Sequence, residues 1–421
     1  MNIDYVKFYF VLFATVCCFD TRAEQLEFEL DRYAPQAEDL AQWIDNYHLV
    51  IEMGQTPEHL NRAFSEEDRA VAKALEVACE MQLLASCLMH IKTNRFAILQ
   101  ALPTNPMYWS KFWQVVELPN FSHLSHENDD LTNGMRRLIQ NANWWYYRTL
   151  AMNGEVDTDK LLSMQAALNR WRSGHQTLIH RMYAWAIQGI AFNQLSHAMA
   201  QAGRSRNSEL LRALSAASRP LSLASMAWGP VVWMEREAAL DNLERFDSDA
   251  PLTEEELQQA LVNVPLESQA RSLELLYADK KHFLKNDYDN LALQVIPNST
   301  IPWPEYWLNG LPQIQLGHES LSLLAIGASA YNQYVTAERN VNFRMHLFAA
   351  LADIYSGAVS PGPPARPAPE SWRWEWVEGE RQRVCLIGDD IHPSTRETNM
   401  EIERWCVDFY SDEDIEVLLV E

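Results

Sequence analysis

The apolar positions between residues 24 and 357 recur with the period of an α-helix. One stripe comprises Leu131, Met135, Leu138, Ala142 and Trp145, which are separated by four, three, four and three residues. Spacings of three and four place side chains on one face of a helix, so this pattern predicts an amphipathic helix that buries that face. The stripe ends near Gly154, a residue type that commonly follows the last helical turn.

A second periodic segment, between residues 178 and 199, is apolar on two faces. One face carries Leu178, Met182, Trp185, Phe192, Leu195 and Met199, and the other carries Ile179, Tyr183, Ile187 and Ile190. A helix that is apolar on two faces is buried between neighbours, so we predict that this helix is central. The longest helical stretch covers residues 318–356, with an interruption near Gly327 as an open alternative.

Short loops separate these amphipathic segments, and short connections favour antiparallel neighbours. We therefore predict an all-α domain over residues 24–359, built as a large stack or bundle of antiparallel helices. No clear 34-residue repeat is present, so a regular solenoid is an alternative and not the expectation.

The pattern changes abruptly after this helical region. Five of the ten residues 360–369 are proline, which cannot continue a helix and favours an extended linker, here residues 360–370. Beyond it, Trp372, Trp374 and Trp376 alternate with charged residues, which places three indoles on one face of a strand. Residues 371–421 are therefore predicted to form a small, acidic, antiparallel β appendage.

The first residues have the pattern of an export signal. Residues 8–19 form an apolar run of twelve, too short for a membrane span of about 20 residues but suited to the core of a signal peptide. Small residues at Thr21 and Ala23 fit cleavage just before Glu24. We predict a signal peptide over residues 1–23 and export to the periplasm or beyond, with a retained membrane anchor at residues 8–19 as the alternative.

If the protein is exported, its cysteines can form disulfides, because disulfides persist in oxidising compartments. Cys385 and Cys406 both lie in strand-like runs, so we predict that they form a disulfide. Cys79 and Cys87 lie in a helical pattern, where eight residues of continuous helix separate Cα atoms by about 12 Å, whereas a disulfide needs less than about 7 Å. We therefore expect two buried free thiols, unless the chain turns between them.

Charge and missing motifs exclude several classes of function. The chain has 34 basic and 57 acidic side chains, a formal net charge of −23. Such an acidic protein repels phosphate backbones, which disfavours nucleic-acid binding. No phosphate-binding loop, nucleophile elbow, metalloprotease helix, Cys-x-x-Cys pair or dinucleotide fingerprint occurs. We expect no cofactor.

Glu235 and Glu305 are the candidate catalytic carboxylates. Hydrolysis of sugars by acid–base catalysis uses two carboxyl groups about 5–10 Å apart, usually from separate elements. Glu305 lies between Trp303 and Trp307, and flat indoles of this kind can stack on sugar rings. The competing interpretation, which we favour, is that these aromatic residues fill the core between helices.

Two further groups of side chains are candidate sites. His123 and His126 lie beside several carboxylates and are weak candidates for metal ligands, although helix capping explains the same residues better. Trp372, Trp374 and Trp376 either bind a glycan or peptide or close a small core against a helix, and we favour the core.

These observations lead to two hypotheses of function. The first is a non-catalytic, exported protein of the cell envelope that binds a protein or glycan, with membrane contact only through an uncleaved N-terminal segment. It predicts that replacing Glu235, Glu305 or His126 with alanine leaves the phenotype intact. The second is a periplasmic glycan-active enzyme on a helical toroid that uses paired carboxylates.

Overall fold

The structure is a computed structural model, and it describes the greater part of the chain. The described residues are 30–55, 66–80, 84–121, 128–226, 228–248, 280–314, 322–357, 362–364, 366–370, 372–379, 382–388 and 404–409. The predicted signal peptide, His123 and His126 lie outside these residues.

Thirteen α-helices and three strands make up the described residues, after a short 3-10 helix at Leu30–Tyr33. The helices are α1 (Ala37–Gln55), α2 (Glu66–Glu80), α3 (Leu84–Thr93), α4 (Arg95–Ala101), α5 (Pro106–Glu117), α6 (Asn128–Asn153), α7 (Thr158–Ser173), α8 (Leu178–Arg204), α9 (Ser208–Ala217), α10 (Gly229–Ser248), α11 (Lys280–Thr300), α12 (Trp303–Asn309) and α13 (Ser322–Tyr355). The strands are β1 (Trp372–Val377), β2 (Gln382–Gly388) and β3 (Arg404–Phe409). This arrangement confirms the predicted all-α fold with a small C-terminal antiparallel sheet.

Side-chain caps begin several of these helices. The Asn105 side chain accepts a hydrogen bond from the Met107 amide at the start of α5, and Asp157 accepts one from the Lys160 amide at the start of α7. Each cap satisfies an amide that has no partner inside the helix. At the other end of α6, Gly154 has a φ of +73°, a left-handed conformation that glycine adopts without strain.

Helix α8 is central, as its two apolar faces predicted. It packs against α6, α7, α9, α10 and α13 and also contacts β3. Its side chains are buried on most sides, including polar ones such as Gln188 and His197. Helix α13 runs without interruption from Ser322 to Tyr355, so the break considered near Gly327 is not present.

The three strands form one antiparallel sheet in the order β1–β2–β3. In its register Cys385 lies directly opposite Cys406, and the two cysteines form a disulfide with 4.1 Å between their Cα atoms. The predicted pairing of these two cysteines is therefore present.

The sheet and the helices share one hydrophobic core. Trp307 of α12 and Phe343 of α13 pack against Trp372 of β1 and Trp405 of β3, with centroids 4.7–5.8 Å apart. The rings of Trp372 and Trp405 are themselves stacked at 5.1 Å. The helices and the sheet are thus joined by an aromatic cluster, although a proline-rich segment connects them in sequence.

The expectation of free thiols at Cys79 and Cys87 is wrong, because these residues form a second disulfide with 4.5 Å between Cα atoms. Helix α2 ends at Glu80 and α3 begins at Leu84, so the two cysteines lie on separate helices. The sequence of this segment contains no glycine or proline, and the continuous-helix assumption failed for that reason.

Candidate functional site

A groove of about 300 Å³ lies between α6, α8 and the Cys79–Cys87 disulfide. We call it the tyrosine groove. Its walls comprise Ile139, Asn143, Tyr146 and Tyr147 of α6, Ala186, Gly189, Ile190 and Asn193 of α8, and the two cysteines. Its volume is at the lower end of the range for small-molecule sites, about 300–1,000 Å³. The groove therefore has room for one small ring or a ligand of similar size.

The disulfide and an amide fix the shape of this groove. The side chain of Asn193 donates to the carbonyl oxygen of Cys79 at 3.4 Å, which ties the end of α2 to α8. The disulfide then holds the beginning of α3 at the same place. The groove is therefore formed by rigid elements, and such positioning lowers the entropy cost of binding.

The groove is electrically neutral. Among the described residues that line it, none has a carboxylate, an amine, a guanidinium or an imidazole. Burial raises the pKa of Tyr146 well above its ordinary value, and its hydroxyl lies 3.5 Å from Nδ1 of His197. Burial also lowers the pKa of His197 to about 4, so the histidine behind the groove is uncharged at neutral pH.

Polar atoms at the groove can donate and accept hydrogen bonds. The side-chain amides of Asn143 and Asn193 provide both functions, as does the hydroxyl of Tyr147. The Tyr147 hydroxyl donates to Oδ1 of Asn143 over a long 3.5 Å. Uncharged groups of this kind fit hydroxyl or amide groups of a neutral ligand, whereas a charged ligand would lose its hydration without gaining a partner.

At Gly189, α8 faces open space, whereas at Gly203 its surface is closely packed. A Cβ at Gly203, in the same helix, would lie 2.6 Å from a ring atom of Tyr355, so packing requires glycine there. A Cβ at Gly189 would meet no atom within 4 Å, although glycine in a helix costs about 1 kcal/mol relative to alanine. The described packing thus gives no reason for this glycine, and α8 faces open space at this position.

Glu235 of α10 is a partly buried carboxylate at the start of α8. Its Oε1 accepts a hydrogen bond of 2.6 Å from the Leu178 amide. Burial raises its pKa, and the hydrogen bond from Leu178 acts in the opposite direction. The carboxylate also lies close enough to Tyr288 and Tyr331 to raise the pKa of both hydroxyls further. Its main contact is therefore with a helix end.

The segment around Glu305 forms the short helix α12. Glu305 is exposed in its first turn, whereas Trp307 is 1% exposed and packs against Phe343 with ring centroids 4.8 Å apart. Trp303 is partly buried and stacks on Trp307 at 5.6 Å, with the guanidinium of Arg339 over its ring at 4.5 Å. Trp307 is thus a core residue, and only part of Trp303 faces solvent.

The tryptophan stripe of β1 is divided between core and surface. Trp372 is 8% exposed and belongs to the aromatic cluster beside Trp307. Trp374 and Trp376 are partly buried: the indole of Trp374 donates to the Arg366 carbonyl at 2.9 Å, and Trp376 lies 5.4 Å from Phe409. The partly open pair is the portion of the stripe that can contact a ligand.

No group of three histidine, cysteine or acidic side chains suited to a metal ion occurs among the described residues. In the same part of the chain, no helix combines the length and the hydropathy needed to cross a bilayer.

No family model matches this chain, and no curated protein or solved structure is significantly similar to it. Sequence reasoning missed the tyrosine groove altogether. A glycine in the middle of a long apolar helix, at Gly189, is the one signal in the sequence that marks it.

Proposed function

We propose that this chain is an exported, non-catalytic binding protein of the cell envelope and that the tyrosine groove is its ligand site. The observation that carries the proposal is a preformed, neutral groove between rigid elements, with amides and tyrosines at its walls and an unhindered glycine in one of them. General acid–base catalysis needs a titratable group near the reacting atoms, and the described lining residues include no carboxylate or imidazole.

Export is supported by the two disulfides together with the apolar residues 8–19. Disulfides are rare in reducing compartments, where thiols are kept free. Mass spectrometry of the native protein from fractionated cells tests this part: we expect a chain that begins at Glu24 outside the cytosol. Recovery of an uncleaved chain with reduced cysteines from the cytosol would overturn it.

A neutral sugar ring of a glycan is the ligand that this groove fits best. A sugar offers hydroxyl groups that both donate and accept, which matches Asn143, Asn193 and Tyr147, and it carries no charge that the groove would leave unpaired. Its apolar ring face suits the disulfide and Ile190. The groove volume of about 300 Å³ limits the bound part to one ring.

Saturation-transfer NMR with neutral hexoses and N-acetylhexosamines tests this site. We expect transfer to the ring protons with the native protein and its loss in Gly189→Trp, whose indole projects into the groove. Gly189→Ala is the matched control and should retain the signal. Equal signals from the native protein and Gly189→Trp, or no signal with any sugar, would contradict the proposal.

A second candidate function, hydrolysis of glycans, is favoured by one observation, the raised pKa of Glu235. A raised pKa suits a general acid, because it favours the protonated form that donates to a leaving group. Incubating the native protein with cell-wall and storage polysaccharides tests this alternative. New reducing ends that disappear in Glu235→Gln would support hydrolysis, and their absence would favour the binding function.

A further inference from the structure

Two arginine side chains are completely buried where α7, α8 and α13 meet. Arg172 lies in the last turn of α7, Arg181 lies in the first turn of α8, and neither has exposed surface. Glu338 of α13 is buried between them. Nε of Arg181 donates to Oε1 of Glu338 at 3.0 Å, and Nε of Arg172 lies 4.0 Å from the same oxygen. We call these three residues the arginine cluster.

The arginine cluster has one more positive charge than negative. Burial lowers the pKa of Arg172 to about 10; Glu338 opposes this change, and repulsion from Arg181 adds to it. Arginine keeps its proton in proteins at neutral pH, so the cluster has two positive charges, whereas Glu338 supplies a single negative charge. An uncompensated buried charge is costly, because the protein interior replaces little of the lost hydration.

Arg236 shows how this protein compensates a cation that lies nearer to its surface. It is 3% exposed and lies within ion-pair distance of three carboxylates, those of Asp31, Glu237 and Asp289. Arg236 therefore has more than enough negative charge around it, in contrast to the arginine cluster.

Arg339 is compensated in a different way. It is 1% exposed, and its guanidinium donates to backbone carbonyl oxygens at the end of α11, namely those of Asn298, Ser299 and Ile301. The end of a helix carries partial negative charge, and the rings of Trp303 and Tyr306 lie 4.5 and 4.2 Å from the guanidinium carbon. Arg181 has similar contacts, because Trp228 lies 5.3 Å from its guanidinium carbon and its Nη2 donates to the Arg172 carbonyl at the end of α7. The arginine cluster differs from Arg339 in bringing two guanidinium groups to one carboxylate.

The same two arginines also have buried donors without a partner. Nε and Nη1 of Arg172 and Nη1 of Arg181 make no hydrogen bond within the part of the chain that the structure describes. The remaining nitrogens are used, since Nη2 of Arg172 donates to Asn342 and Nη2 of Arg181 donates to the Arg172 carbonyl. Buried donors in native proteins are nearly always paired, so three unpaired donors in one cluster indicate an acceptor that is not part of the protein.

We infer that the arginine cluster binds a chloride-sized monovalent anion on the unpartnered nitrogens of Arg172 and Arg181. A monovalent anion brings the cluster to zero net charge and accepts several N–H groups at once. Buried water would satisfy the donors but would leave the excess charge. A divalent anion would give the cluster a net negative charge. The ion would join α7 to α8 beside Glu338 of α13 and stabilise the centre of the helical stack.

Crystals of the native protein grown or soaked in bromide test the site directly, because bromide replaces chloride and scatters anomalously. We expect an anomalous peak in contact with Arg172 and Arg181. A bromide data set with peaks only on the protein surface, and with water or no density at the cluster, would overturn the inference.

A chloride titration of thermal stability is the second measurement, with gluconate replacing chloride at constant ionic strength. We expect the melting temperature of the native protein to rise by about 2 °C for each tenfold increase in chloride above the dissociation constant. Arg172→Gln leaves a neutral Arg181–Glu338 pair, so its melting temperature should not respond to chloride.

Arg212→Gln is the matched control, because Arg212 is exposed on α9 and should not affect the response. A chloride response that is the same in Arg172→Gln and Arg212→Gln would show a general salt effect and would contradict the site. If Arg172→Gln does not fold, the bromide experiment on the native protein still decides the question.

Discussion

Oε1 of Glu235 accepts a hydrogen bond of 2.6 Å from the backbone amide of Leu178, the first residue of α8. The first amides of a helix have no partner within it, and Thr177, at the N-cap position, makes no side-chain capping bond. Glu235 therefore supplies from α10 the cap that the local sequence does not provide. A carboxylate is also favourable at the positive end of a helix dipole.

This contact predicts that Glu235→Ala lowers the stability of the fold. Loss of a helix cap costs about 1 kcal/mol, and we expect a loss of that size in the free energy of unfolding measured with urea. Glu305→Ala is the control, because Glu305 is exposed and should change stability by less than about 0.5 kcal/mol. Equal stability of the two variants would contradict the capping role. The hypothesis of a non-catalytic binding protein also predicts that both folded variants still bind the ligand.

The raised pKa of Glu235 predicts a dependence of stability on pH. The folded-state pKa lies above the unfolded value of about 4.5, so the folded protein holds a proton that the unfolded chain releases. Its stabilising contribution is complete below pH 4.5 and is lost as the pH rises through the folded pKa. We therefore expect the native protein to lose stability relative to Glu235→Gln as the pH rises above 4.5. A pH-independent difference between the two unfolding curves would show that this carboxyl does not titrate as described.

Two glycines of α8 should respond in opposite ways to the same substitution. Gly203→Ala places a Cβ 2.6 Å from the Tyr355 ring, and such overpacking costs about 1–3 kcal/mol. Gly189→Ala meets no atom within 4 Å and should stabilise the helix by up to about 1 kcal/mol. Thermal unfolding of both variants under the same condition checks whether Gly203→Ala is destabilised and Gly189→Ala is stabilised. A destabilised Gly189→Ala would show that this position is not open.

The tryptophans of the sheet should differ in their contribution to stability. Trp405 is 4% exposed and stacks on Trp372, so Trp405→Ala should cost about 3–5 kcal/mol and weaken the near-UV circular dichroism of the aromatic cluster. Trp376 is only partly buried, and Trp376→Ala should cost clearly less. Denaturant unfolding measures both values. Similar losses for the two variants would place Trp376 in the core and remove it from the candidates for binding.

The elements that depend on local periodicity could be predicted from the sequence. The stripe around Leu138 lies in α6, the doubly apolar segment around Trp185 is the central helix, and the alternation from Trp372 to Trp376 is a strand. The period of apolar residues follows directly from helix and strand geometry, so these predictions need no knowledge of distant contacts.

The parts that depend on distant contacts could not be predicted. Arg181 and Glu338 are 157 residues apart, and nothing near either residue identifies the other as its partner. The cap that Glu235 provides for α8 likewise joins residues 57 positions apart. The Cys79–Cys87 disulfide was missed for a different reason, since no residue between them is a strong helix breaker.

The cluster formed by Trp307, Phe343, Trp372 and Trp405 has a consequence for biosynthesis. Synthesis proceeds from the N-terminus, so Trp307 and Phe343 are made before Trp372 and Trp405. Their aromatic faces stay uncovered until β1 and β3 are complete. A chain that terminates within the sheet would leave the faces of Trp307 and Phe343 exposed to proteases and chaperones. A chain that stops before β3 lacks Trp405, one of the four rings of the cluster, so the last strand is needed to close this core.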